Sequence, residues 1–332
     1  MGGGYADNAM TNGSDNPEFE DRLDQANQEI YQSPLVARTK LNALLEALPD
    51  DVVEMRSRVT ERLSIVERIL GNFDLAARLG ESAATGYQAI NHPIGMARAW
   101  ISLGNIYWSR GELERALGYY QQAYNVRRRK TDHSATAGAL ASIANIHVEL
   151  GRFTEARNEY EQVLDLAHRA SDKRIIARTE NNLSECLLEL GHPGTALNHA
   201  RSALTVCRKL GDRSEEPNIL INLGRILWKL KFLQEATEYA AEAIEISLKT
   251  GDRRIHAAGL TLLAHQYRSY QPRDSNRSPN DLEDQAFGIA QEIGAHGLIK
   301  TICKQAIGAA NQANDPARTR RYQGRLDATQ PL

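Results

Sequence analysis

The sequence predicts an all-α solenoid built from stacked helix pairs, and three observations lead there. The first is internal repetition: GNFDLAARL (71–79), GELERALGY (111–119), GRFTEARNE (151–159), GHPGTALNH (191–199) and KFLQEATEY (231–239) stand 40 residues apart without a slip. The second is the spacing between these marks. Trp100, Leu103, Gly104 and Tyr107, then Leu113, Ala116, Leu117, Tyr120 and Ala123, fall on single helical faces. The third is composition, with 6% aromatic residues where strands favour aromatic and β-branched ones.

Each period reads as helix A, a turn, helix B and a second turn. The first turn carries Gly71, Gly111, Gly151, Gly191 or Lys231, and five positions later stands Ala76, Ala116, Ala156, Ala196 or Ala236. A small residue sits in helix A (Ser64, Gly104, Ala144, Ser184, Gly224), so two backbones can approach closely there. The second turn carries Asp132, Asp172, Asp212 or Asp252. One pair cannot bury enough apolar surface alone, so stacking is obligatory and the core becomes one strip. That overrides the two domains that 332 residues would otherwise suggest. Residues 1–19 read as a disordered tail, and 20–330 as a single solenoid of seven to eight helix pairs. Within it, 20–48 forms a first pair broken at Ser33-Pro34, and 50–270 holds the strong repeats. Residues 270–280 read as part of an insertion of roughly ten residues, and 297–330 as a polar cap.

Trp100, Leu103-Gly104, Tyr107, Gly111, Ala116, Tyr120 and Ala123 resemble the signature of the tetratricopeptide repeat (TPR) family. The resemblance implies a right-handed α-α superhelix whose A helices line a concave groove. The long period is similar to a subclass with extended B helices, which includes spindle-orientation adaptors and sensory modules of bacterial signalling proteins.

Candidate chemistry is mostly absent. No HExxH, no His/Cys cluster with ligand spacing, no phosphate-binding glycine loop and no GxSxG are present, so neither enzyme activity nor a cofactor or metal is expected. Three cysteines without a close pair make a disulfide framework unexpected and a reducing cytoplasm the expected location. Net charge of -2 and the lack of an 18-residue apolar run speak against nucleic-acid and membrane partners. RRRK at 127–130 is the one dense basic run. It reads as a solvated helix end, with an acidic or phosphate-bearing partner as the alternative.

The groove remains. Counting Ala97 as position 1, positions 2, 5, 9 and 12 of helix A share a stripe of about 80° beside the core face. They supply Arg98 and Arg178, then Asn181, then Asn105, Asn145, Glu185, Arg225 and His265, then Trp108 and Trp228. Asn222, beside this stripe, completes the candidate peptide-binding set. Asn can pair with an extended backbone, Arg with a carboxylate, and Trp offers apolar area at low entropy cost. In TPR adaptors, Asn at position 9 holds ligand backbone, a role the resemblance carries only to Asn105 and Asn145. The expected function is a non-enzymatic scaffold that binds a partner peptide or helix. The alternatives are a peptide-sensing module of a bacterial signalling protein and a self-assembling structural solenoid. For self-assembly, the Trp228-Lys-Leu-Lys-Phe-Leu stretch would supply an apolar homo-oligomer contact.

Overall fold

The fold is seen in a computed structural model that describes residues 17–213, 215–270 and 275–329. Among them are sixteen helices and no strand. They fall into two compact units, residues 1–159 and 160–332, where the sequence reading has one continuous array.

Unit 1 contains α1 (Pro17–Glu29), α2 (Pro34–Ala47), α3 (Val53–Ile69), α4 (Phe73–Ala89), α5 (Pro93–Ser109), α6 (Leu113–Arg127) and α7 (His133–Glu149). Helix α1 begins inside the stretch read as a tail, at Pro17; residues 1–16 lie outside the described ones. Pro34 opens α2, where the missing N–H costs nothing. Consecutive helices pack antiparallel-fashion side by side, and α3 also touches α5.

Helix α8 (Phe153–Ala170) spans the division. Unit 2 continues with α9 (Lys173–Glu189), α10 (Pro193–Leu210), α11 (Glu216–Lys229), α12 (Leu233–Thr250), α13 (Arg253–Tyr267), α14 (Pro279–Glu292), α15 (His296–Gln312) and α16 (Pro316–Asp327). Here the A helices α9, α11, α13 and α15 touch in sequence, in addition to their own B partners. Of the stretch read as an insertion, 271–274 lies outside the described residues, and α14 starts at Pro279 with Ser278 as its cap. This stretch displaces the start of a B helix, leaving α14 at 14 residues against 18 in α12. The extended length of the other repeats is shared by both helices: 17 residues in α3, α5, α7 and α9, and 15 to 18 in α4, α6, α8, α10 and α12.

The two punctuation marks have separate causes. Asp132, Asp172 and Asp252 are N-caps, whose carboxylates accept from the N–H of Ala135, Ile175 and Ile255 at 2.9, 3.1 and 3.0 Å. The first turn is a left-handed exit from helix A. Gly71, Gly111, Gly151 and Gly191 have φ between 71° and 82°, and the next N–H reaches back to close the helix end, as in Asn72 N–H to Glu67 O at 2.8 Å. Lys231 adopts the same conformation with φ 69°. A left-handed residue with a Cβ costs roughly 1–2 kcal/mol, and glycine in return loses unfolded-state entropy. Lys231→Gly is therefore expected to stabilise the protein by about 1 kcal/mol, read as a raised urea midpoint at unchanged slope.

The buried strip follows the repeat. Ala76, Ala116, Ala156, Ala196 and Ala236 are fully buried, as are Ser64, Ala144 and Ser184 of helix A. Tyr87 and Tyr120 are the largest side chains enclosed in unit 1, and Tyr160 and Tyr322 in unit 2. Among the described residues no helix is long and apolar enough to cross a membrane.

Candidate functional site

In unit 2 the four A helices form one wall, and a cavity of about 490 Å³ opens on it. Helix α9 contributes Leu188 and Glu189, α11 Ile221, Arg225, Trp228 and Lys229, α13 Ala258, Thr261, Leu262 and His265, and α15 Leu298, Thr301 and Gln305. Ala258, Thr261 and His265 stand 40 residues before Leu298, Thr301 and Gln305, so one register serves both helices across the 270–280 stretch. Leu188, Ile221, Trp228, Ala258, Leu262 and Leu298 are half-buried in the lining, Thr261 is buried, and Lys229, Thr301 and Gln305 are exposed.

Three candidate residues meet at this cavity: Arg225, Trp228 and His265. The Trp228 and His265 rings meet edge to face at 6.1 Å between centroids. The His265 ring keeps solvent access, yet crowding by its neighbours lowers its pKa below the ordinary value, and Arg268 lowers it further against the opposing pull of Glu283. A neutral imidazole at pH 7 suits an apolar wall. Arg225 is held by Glu185 at 2.7 Å and by Glu189 at 2.9 Å, two carboxylates one turn apart on α9. Its guanidinium is positioned and already neutralised, so Glu185 serves the cavity by fixing Arg225.

Asn222 does not face the groove. It is 5% exposed, and its amide donates to Ser184 Oγ at 2.6 Å and to Asn181 Oδ1 at 3.1 Å. Position 6 of helix A points at the preceding A helix, so Asn222 and Asn181 join α11 to α9 beneath the wall. Gln266 makes a comparable link, donating to Gly224 O at 3.2 Å between α13 and α11. Arg178 is exposed on α9.

The remaining candidates lie in unit 1. Arg98 is committed: it donates to Tyr87 Oη at 2.7 Å and to Glu61 Oε2 at 3.3 Å, while Tyr87 donates to the same carboxylate at 3.0 Å. Burial, aided by the Glu61 charge, raises the Tyr87 pKa, so the phenol stays protonated and donating. Asn105 accepts the Tyr120 hydroxyl at 2.6 Å, which fixes the orientation of its amide. Asn145 is half-buried on α7, and Trp108 is 39% exposed.

Among the described residues no group of three or more His, Cys, Asp or Glu could hold a metal ion. Cys186, Cys207 and Cys303 are free and buried, and burial pushes the Cys186 thiol up to about 12 and the Cys207 thiol up to about 11.

Comparison with known proteins agrees with this architecture. Family profiles described as Tetratricopeptide repeat match residues 55–129, 134–209 and 218–250, together more than half of the chain. No curated protein matches the sequence. The chain is similar in structure to the apo form of the quorum sensor NprR from B. thuringiensis, with a TM-score of 0.72 at 13% identity over 94% of this chain and 87% of that one. Aspartyl phosphate phosphatase F from Bacillus subtilis gives 0.69 at 12% identity, over 100% and 96%. The Rap conjugation gene regulator of the plasmid pLS20, in complex with the Phr* peptide, gives 0.64 at 15% identity, over 94% and 93%. At such identities the likeness is one of fold.

Proposed function

Because the chain belongs to the tetratricopeptide repeat family, we propose that it is a non-enzymatic interaction module whose unit 2 wall binds a short peptide or helix of a partner protein. One observation carries the reading: a cavity of about 490 Å³ lined by Leu188, Ile221, Leu262 and Leu298, with an aromatic edge at Trp228 and His265 and an Arg225 guanidinium fixed by Glu185 and Glu189, all on consecutive A helices. Leu188, Ile221, Leu262 and Leu298 accept an apolar side chain. Thr301, Gln305 and Lys229 at the rim are placed to meet peptide groups. The peptide named with the Rap regulator supports this reading, as does the quorum-sensing role named for NprR. The finer form of the proposal is therefore a peptide-sensing regulator, in which an oligopeptide fills the cavity and ties the A helices together.

The test is selection from a random dodecapeptide phage library on the immobilised full chain and on Ala258→Tyr. Ala258 lines the cavity from α13 and is half-buried, so a phenol there fills the space. Wild type is expected to enrich a peptide family with an apolar anchor, and Ala258→Tyr to lose at least about tenfold of that enrichment with its helical circular dichroism unchanged. Equal enrichment on both proteins overturns the cavity as the site.

A further inference from the structure

The basic run at 127–130 separates in the structure. Arg128, Arg129 and Lys130 are exposed, as a solvated helix end requires, but Arg127 is half-buried. Its place in the repeat explains why. Positions 87, 127, 167, 207 and 247 continue the buried stripe of the B helices, and Tyr87, Ala167, Cys207 and Ser247 are each at most 1% exposed. Arg127 is the charged member of that column.

Its surroundings do not satisfy it. Nε is enclosed and has no hydrogen-bond partner, and no hydrogen bond or ion pair joins the guanidinium to a described residue. One repeat earlier the same place is fully served: Tyr87 donates to Glu61 and accepts from Arg98. Forty residues on, Glu61 becomes Ile101 and Arg98 becomes Gly138. The carboxylate has gone, and so has the side chain that covered the position. A Cβ built on Gly138 would meet nothing within 4 Å, so open space stands there. The charged neighbours that act on Arg127 are Asp132, Arg98 and Glu61. Asp132 already caps Ala135 N–H, and Glu61 is taken by Tyr87 and Arg98. Burial lowers the Arg127 pKa, and Arg98 adds to that effect against the partial offset of Asp132 and Glu61.

We infer that Arg127 is a carboxylate-recognition site on unit 1: the open space at Gly138 admits an Asp or Glu side chain of a partner peptide, which pairs with the guanidinium as Glu61 pairs with Arg98. A half-buried cation without a partner costs stability in the free protein, and a planar fork suits one carboxylate with two parallel bonds. This site does not depend on the unit 2 cavity.

The test separates recognition from structure by using two readouts on the full chain. In thermal unfolding, Arg127→Met is expected to match or exceed the wild-type Tm, because an apolar side chain fits the column better than an unpaired cation. Ile101→Glu restores the carboxylate of the preceding repeat and is expected to raise Tm as well. In selection from the random dodecapeptide phage library, wild type is expected to enrich peptides with an Asp or Glu at a fixed place. Both variants are expected to weaken those peptides about 10- to 100-fold, the size of a lost charged hydrogen-bond pair. Ala258→Tyr is expected to retain the acidic preference. The inference is overturned if Arg127→Met lowers Tm by several degrees, or if the acidic preference is absent or survives both variants. It is equally overturned if inorganic sulfate stabilises wild type over Arg127→Met at matched ionic strength while no acidic peptide is selected.

Discussion

Glu283→Ala is expected to destabilise the C-terminal end of unit 2 by about 3–5 kcal/mol, the cost of removing one partner from a buried ion pair. Glu283 on α14 is fully enclosed and joins two cations: Arg268, just after α13, at 2.7 Å and Arg318 on α16 at 2.9 Å. The side chains of both arginines are themselves largely enclosed, at 21% and 12% exposure. Alanine would leave two positive charges facing each other with little water to screen them. Asp284 offsets only part of the loss: it reaches Arg318 at 3.8 Å, but it is already shared by Tyr322, at 2.7 Å, and by Arg321 and Arg325, and Arg268 keeps no carboxylate partner among the described residues. Arg325 lies 4.0 Å from the centroid of Phe287, so α16 is held by one connected network. The network joins α13, α14 and α16, so these helices are the first part of unit 2 to open when it fails. The measurement is amide hydrogen exchange by mass spectrometry over residues 279–327. Protection there is expected to collapse in Glu283→Ala while α9 to α11 keep theirs. Arg268→Met/Glu283→Leu/Arg318→Met is expected to recover most of the loss, since apolar groups of similar volume replace a buried ionic triad at little cost. Uniform loss across unit 2 in the single variant would show that the network does not act locally.

How much could be read beforehand differs by residue. The turns were legible because the backbone itself demands them: a residue that tolerates positive φ ends helix A, and an acceptor side chain caps the next A helix, an oxygen at Asp132 and the ring Nδ1 at His92. Gly111 and Asp132 thus announce their roles without any knowledge of packing. The groove was legible as a face but not as a set of partnerships. Asn222 and Asn181 lie near the same stripe, yet a side chain at position 6 turns toward the preceding A helix and becomes buried, which a helical wheel drawn for one helix does not show. Arg225 lies in the cavity lining, while its engagement by Glu185 and Glu189 depends on the rise between repeats. The far wall was missed although its signal was present: Leu298, Thr301 and Gln305 keep the 40-residue register, and the altered 270–280 stretch drew attention from it. Arg127 was visible as a charge and not as a buried position. Reading the B-helix column from Tyr87 through Ser247 reveals it.

Tyr120→Ala is expected to cost about 3–5 kcal/mol, and a second substitution across the helix pair is expected to return part of it. Tyr120 on α6 is 1% exposed and lies flat against Gly104 of α5; a Cβ on Gly104 would come within 2.5 Å of its ring. The pair is a size exchange. In this helix pair the B helix carries tyrosine and the facing A position has no side chain; the equivalent pairs are Ala144 with Tyr160, Ser184 with Ala200 and Gly224 with Ala240, so the exchange belongs to α5 and α6 and not to every repeat. Gly104→Ser alone therefore drives into the ring and is expected to lose about 1–3 kcal/mol by overpacking. Tyr120→Ala alone leaves a ring-sized void and also frees Asn105 Oδ1, which accepts the hydroxyl at 2.6 Å. In Gly104→Ser/Tyr120→Ala the serine enters the space that the ring vacated, so the double variant is expected to be no less stable than Tyr120→Ala. The coupling between the sites then equals or exceeds the whole cost of Gly104→Ser. Tyr120→Phe keeps the ring and is expected to lose only about 0.5–1.5 kcal/mol with the hydrogen bond. Urea unfolding of the four variants and wild type reads these values from the midpoints at common slope. Strict additivity of the two single costs would refute the size exchange, and with it the reason why a glycine stands in the middle of α5.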